Sequence, residues 1–178
     1  MSDTKRYSTT MVILHWALAL AILGAIFMGS IVLDDMESDH PQKILLLKLH
    51  ILVGLSILAF TLFRLVIRFT SQLPAPLPEG NPLLEQLGKV VHYVLYLFTI
   101  LTTLSGIYLA ISAELPAVLL NNIGVLPKDY EDFIAHEAHD IFANLLLLTI
   151  ALHVAAAFYH QFILKDGLIS RMSIRKEK

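Results

Sequence analysis

The chain has 178 residues, of which 56% are hydrophobic and 16% charged, with a formal net charge of −2. A soluble domain is about half apolar and roughly a quarter charged, so this balance excludes a disordered chain and disfavours a soluble enzyme, and the weak net charge argues against a nucleic-acid partner. The absence of cysteine removes disulfides, thiolate zinc sites, iron–sulfur clusters and covalent c-type haem attachment.

Four apolar stretches are each long enough to cross a bilayer, which takes about 20 residues of helix. The first, about 11–33, contains no Asp, Glu, Lys or Arg. Lys5 and Arg6 resemble the charged start of a signal peptide, but the apolar run exceeds the usual ~7–15 residues of a signal core and no Ala-x-Ala site closes it. It reads as a retained span. The second, about 44–67, carries Lys48, His50 and Arg64; the third covers about 90–111; the fourth, about 139–164, holds His153 and His160. A backbone in lipid satisfies its own hydrogen bonds, and four strands cannot close a barrel, so these segments are helices. The expected fold is all-α: an integral membrane four-helix bundle formed by one domain over residues 1–178.

The connections are loop-like. The segment from Ser71 to Pro82 has four prolines and a glycine, which makes a stiff, non-helical connector. Asp34 to Pro41 is acidic, and Pro116 and Pro127 bracket a longer third loop. With the amino terminus inside, the inner segments hold ten cations (Lys5, Arg6, Arg64, Arg68, Lys89, Lys165, Arg171, Arg175, Lys176, Lys178) and the outer side three (Lys43, Lys48, Lys128). That positive-inside bias puts both termini in the cytoplasm of a cell with a bacterial inner membrane. The outer side holds ten of the fifteen acidic residues.

Eight histidines are many for so apolar a chain. An ionisable side chain in a span is costly and points to function, and neutral imidazole is a good ligand for haem iron. His139 and His153 are 14 residues apart on one helix. At 100° per residue they face within about 40° of one another, about 21 Å apart along the axis. One helix therefore offers two ligands at two depths, which suits two stacked haems. His15, near the inner start of the first span, matches His153 in depth. His50, near the outer start of the second, matches His139. Two pairs result: His15 with His153, and His50 with His139. The bland alternative for any one of them is a helix–helix hydrogen bond.

Arg64 follows His50 by 14 residues, on the same face at the depth of the inner haem. It could pair with a propionate or snorkel to the headgroups. Gly54, one turn past His50, either admits a flat macrocycle or serves ordinary helix packing. Trp16 is an interfacial anchor or a packing partner. His160, about 10 Å further inward than His153, either donates to a haem propionate or quinone or marks the interface. His136 rivals His139 as the outer ligand but stands about 100° out of register with His153. His40 sits in an acidic loop and reads as solvated. His92 opens the third span without an evident partner at its depth.

With these residues in view, the whole chain resembles the bacterial cytochrome b561 family. The resemblance is carried by Leu14-His15-Trp16, by Leu49-His50 with Arg64 and Arg68, by the run His139 to Asn144, by the run Leu152 to Ala157, and by Lys165-Asp166 followed by Arg171-Met172. It implies two non-covalent b-type haems held by His15, His50, His139 and His153. His136-Glu137 is closer to the family's His-Glu pair than His139-Asp140 is, and spacing to His153 selects His139. The resemblance further implies an oxidoreductase that oxidises superoxide at the periplasmic surface and passes electrons to ubiquinone, with Arg64 and His160 near the quinone or the inner haem. The alternatives are a cytochrome subunit relaying electrons between a partner dehydrogenase and quinone, or a haem-free transporter or structural membrane protein. Inverted repeats and discontinuous helices, which mark many transporters, are not evident in the sequence.

Overall fold

The computed structural model describes residues 6–72, 74, 82–121 and 123–173. Most of the proline-rich connector, together with Lys5, Arg175, Lys176 and Lys178, lies outside them. Helix α1 (Thr9–Phe27) begins at Ser8, whose hydroxyl accepts from the Met11 N–H at 3.3 Å, an N-cap that satisfies one otherwise orphaned donor. It continues through a π-helical turn, Met28–Leu33. Helix α2 is Lys43–Thr70, α3 is Pro82–Ser112 and α4 is the short Leu115–Asn121. Helix α5 (Ile134–Phe158) again runs into a π-helical turn, Tyr159–Leu164, followed by a 3₁₀ turn at Leu168–Met172. No strand occurs among the described residues.

Four of these helical stretches are long and apolar enough to cross a membrane: Thr9–Leu33, Lys43–Thr70, Pro82–Ser112 and Ile134–Leu164. They match the four predicted spans, but the third begins eight residues earlier than expected and the fourth five. Charge does not end a helix. Glu85 and Lys89 pair at 2.6 Å in the i,i+4 register, so α3 extends past its apolar run into the polar zone. The outward surface is apolar: Leu20 is 72% exposed, Phe69 68% and Leu152 57%. Such a surface is stable against lipid and not against water, and the protein is a multi-pass membrane protein.

Inside the spans, several hydroxyls are satisfied by their own helices, whereas those of Thr61, Tyr96 and Thr102 are buried without a partner. Thr99 Oγ1 donates to the Leu95 carbonyl at 2.7 Å, Thr103 to Thr99 at 2.9 Å and Thr149 to Leu145 at 2.7 Å. Thr99 and Thr149 are buried. With no hydrophobic drive between helices in lipid, such small residues allow close packing, and α3 packs most extensively against α5. Helix α2 packs against both α1 and α3, whereas neither α1 nor α2 packs closely on α5. A gap therefore separates α5 from the α1–α2 pair.

Both ends are clamped. At one end the Trp16 indole N–H donates to the Met172 carbonyl at 3.1 Å, and the Tyr7 N–H to that of Arg171 at 3.3 Å. Trp16 thus ties the terminal segment to α1. At the other end Ser38 Oγ bonds the Pro127 and Lys128 carbonyls at 2.9 and 3.0 Å. A small cluster of Ala110, Ala113, Leu115, Val118, Leu119 and Leu126 seats α4 on the end of α3. Leu115 is 3% exposed. Truncating a buried leucine costs about 2–5 kcal/mol, so Leu115→Ala is expected to lower the unfolding midpoint in detergent, whereas truncating exposed Leu120 leaves it in place.

Candidate functional site

The gap beside α5 is crossed by histidines. His15 on α1 and His153 on α5 face each other with ring centroids 6.2 Å apart and planes at 75°. His50 on α2 and His139 on α5 do the same at 6.3 Å and 78°. The two contacts lie at opposite halves of the bundle because α5 carries its histidines 14 residues apart. His136 instead stacks on Tyr130 at 6.2 Å and lies 3.8 Å from Asp140. His40 is exposed, its Nδ1 accepting from the Gln42 N–H.

The spacing tests what the pairs can hold. Two metal–imidazole bonds of about 2.0 Å, with about 1.1 Å from each nitrogen to its ring centre, together span about 6 Å. Both pairs have that separation. Among the described residues no group of three or more His, Cys, Asp or Glu could enclose a bare metal ion. A two-donor set suits a metal whose other ligands come from a flat macrocycle, as in haem. The surroundings fit such a group as well. A cavity of about 510 Å³ opens between His50 and His139, within the range of cofactor sites. His50 Nδ1 is buried without a hydrogen-bond partner.

A backbone carbonyl and a hydroxyl on α3 orient His139. His139 Nδ1 lies 2.9 Å from the Thr102 carbonyl and 3.2 Å from Ser105 Oγ. The carbonyl can only accept, so Nδ1 carries the proton and Nε2 keeps its lone pair for a metal. Two glycines make room for the imidazoles. A Cβ at Gly106 would stand 2.9 Å from His139 Cε1, and one at Gly29 3.2 Å from His50 Cε1. Gly54, which the sequence offers either as room for a flat macrocycle or as ordinary helix packing, is not one of them. Gly54 lines the cavity with no atom within 4 Å of a built Cβ.

The level of His15 and His153 holds a residue that sequence reasoning left without a partner. The His92 ring lies 5.1 Å from that of His153, and its Nδ1 donates to the Gly88 carbonyl at 2.7 Å. That separation is shorter than the two facing pairs. The expectation treated α3 as a span without ligands and looked for partners by depth alone; the close α3–α5 packing brings His92 to His153. Arg64 lies near enough to act electrostatically on His15 and His153. Its guanidinium stands 5.7 Å from the Tyr96 ring, and its buried Nε has no hydrogen-bond partner. His160 lies outside both facing pairs. Its Nδ1 meets Asp166 Oδ2 at 2.5 Å, while Asp166 Oδ1 accepts from the Leu168 N–H. Left-handed backbone at Lys165 and Gly167 folds Asp166 back to make this contact. On the rim of the His50–His139 cavity Tyr130 has a buried hydroxyl without a partner, and burial raises its pKa.

A four-span bundle with facing imidazoles across a gap defines a membrane cytochrome rather than a transporter. The chain belongs to the prokaryotic cytochrome b561 family, which matches residues 6–173, and membership implies a b-type haem. It is similar to "Probable superoxide oxidase CybB" of Yersinia pestis, at 27% identity over 97% of this chain and 98% of that protein. "Cytochrome b562" of Cereibacter sphaeroides is 26% identical, covering 97% and 98% respectively. "Cytochrome b561 homolog 1" of Escherichia coli strain K12 is 27% identical, covering 97% and 99%.

Gly106→Ala is expected to displace His139 and reduce haem bound per protein, read as the pyridine haemochrome. Gly24→Ala, at an open position that does not line the cavity, leaves the haem content unchanged.

Proposed function

We propose that the protein is a two-haem transmembrane electron-transfer protein of the bacterial inner membrane, oxidising superoxide at the periplasmic side and reducing ubiquinone. The observation that carries this reading is the pair of matched imidazole separations, 6.2 and 6.3 Å, on one helix at two depths. His15 and His153 would hold one haem and His50 and His139 the other, each bound haem supplying a one-electron couple. With two imidazoles available to hold each haem, superoxide and quinone would exchange electrons with it without binding the metal. The reaction balances as two superoxide anions, one quinone and two protons giving two oxygen molecules and one quinol. The protein contributes the path: α5 presents both ligand levels, and α3 fixes the proton on His139 Nδ1.

At the inner level, Arg64 would meet a haem propionate, which supplies the anion its buried guanidinium lacks. His160, held by Asp166, would offer its free Nε2 to a quinone oxygen. Both termini lie in the cytoplasm on this reading, and residues 1–178 act as one domain.

A second reading has one specific observation in its favour. The cavity mouth carries Asp34, Glu37, Asp129, Glu131 and Asp140 against Lys43 and Lys128. A net negative mouth repels superoxide and attracts a basic partner, as a relay between a dehydrogenase and quinone requires. Salt separates the two. Screening weakens repulsion as well as attraction, so superoxide-driven haem reduction should accelerate several-fold between low and physiological ionic strength, whereas reduction by a basic protein donor should slow.

Purified protein in detergent is expected to reduce a short-chain ubiquinone under a superoxide flux, and a rate no greater than the protein-free background overturns the reading. Ala at 15 or 153 is expected to remove one haem, Ala at 50 or 139 the other, and His136→Ala neither. Reduced-minus-oxidised spectra and haem content check each variant.

A further inference from the structure

Lys43 opens α2 at the outer end of the cavity, and its residue is only 6% exposed. Its ammonium donates to the Leu33 carbonyl at 2.5 Å and the Met36 carbonyl at 2.6 Å. An ammonium has three donors and no acceptor, so one N–H remains. Both partners are neutral. Among the described residues no carboxylate forms an ion pair with Lys43, although Asp34 and Glu37 line the same cavity. Asp34 acts on Lys43 electrostatically from beyond ion-pair distance, and hydrogen bonds to neutral carbonyls leave the covered charge only partly compensated. Lys43 also precedes His50 by seven residues. That places the two within about 20° on one face of α2 and about 10 Å apart along its axis. Both border the cavity between His50 and His139.

We infer that Lys43 is an anion site of the outer cavity, and that its ligand is a carboxylate of the haem His50 and His139 would hold. The inference rests on the haem reading above. Lysine capping of the α1 exit explains the two carbonyl contacts, but it needs neither a full charge nor a third donor facing the cavity. An anion site has an electrical consequence that a cap lacks. A positive charge beside the haem disfavours the ferric form, which carries one more positive charge than the ferrous form, so Lys43 holds the outer potential up.

The test is an anaerobic redox titration of the purified haem-loaded protein, comparing wild type with Lys43→Arg, Lys43→Gln and Lys43→Met. Glutamine keeps N–H donors for the two carbonyls but removes the charge. Methionine keeps the stem and removes both. In the two neutral variants one haem should become about tenfold harder to reduce, about 59 mV for a one-electron couple, while the other haem stays in place. Arginine should stay near wild type. Thermal unfolding should be close to wild type for arginine and glutamine alike, which separates the charge from the cap. If one neutral variant fails to fold, the other carries the comparison. Haem-loaded protein whose two potentials ignore the loss of charge overturns the Lys43 assignment and leaves the haem reading standing. So does an arginine variant that shifts as far as glutamine. Wild-type protein that retains no haem overturns the haem reading and this site with it.

Discussion

An imidazole inside an apolar bundle must find a partner, because a buried polar group without one is costly. Here the partners stand across an interval that no extensive helix–helix contact closes. Helix α5 leans on α3 and stays away from α1 and α2, and the four facing imidazoles occupy the separation. Direct packing of α5 on α1 or α2 would bury the histidines against backbone and lose the space between them. The bundle is thus two packed halves, α1–α2 and α3–α5, with α2 and α3 joining them along one side.

Within that frame α3 supplies orientation. Thr102 and Ser105 hold the His139 ring, Gly106 gives it room, and Gly88 holds the His92 ring through its carbonyl. These contacts fix which nitrogen carries the proton. A free imidazole exchanges tautomers and rotates; one bonded at Nδ1 keeps its lone pair aimed in one direction, which strengthens it as a ligand. Clamps at both ends complete the arrangement. Trp16 and Tyr7 tie the last described residues to the amino-terminal segment, and Ser38 ties the first loop to the third.

The histidine pairing was legible because a helix converts sequence distance into depth and angle by fixed rules. Fourteen residues along α5 give two levels on one face whatever the neighbours do. The four spans were legible for a similar reason, since length and apolarity are set by the bilayer. What stayed hidden depends on how helices approach one another. Nothing in the residues around His92 says that α3 is the helix nearest α5. Gly29 and Gly106 look like any other small residues until an imidazole from another helix is placed against them, whereas Gly54 draws notice only through its spacing from His50 on the same helix. The early start of α3 was missed because the apolar run was taken as the helix, and an i,i+4 ion pair extends it. The contact between Asp166 and His160 depends on left-handed backbone at Lys165 and Gly167, of which only the glycine leaves a trace in sequence.

Charge divides into two roles at the outer end, and distance from solvent separates them. The carboxylates at the mouth meet water and ions, so their field governs approach and fades with salt. Lys43 is covered, and its field reaches whatever fills the cavity with little screening. The same contrast holds at the inner level, where half-buried Arg64 lies among three histidines while exposed Lys89 pairs with Glu85 on the helix surface. A count of charges by loop captures the first role and sets how the chain sits in the bilayer. It cannot capture the second, because a covered charge is screened less than one in water. On the proposed function, net acidity at the cavity mouth and a positive site near His50 and His139 are therefore compatible, one acting on encounter and the other on the energy of the electron after it arrives.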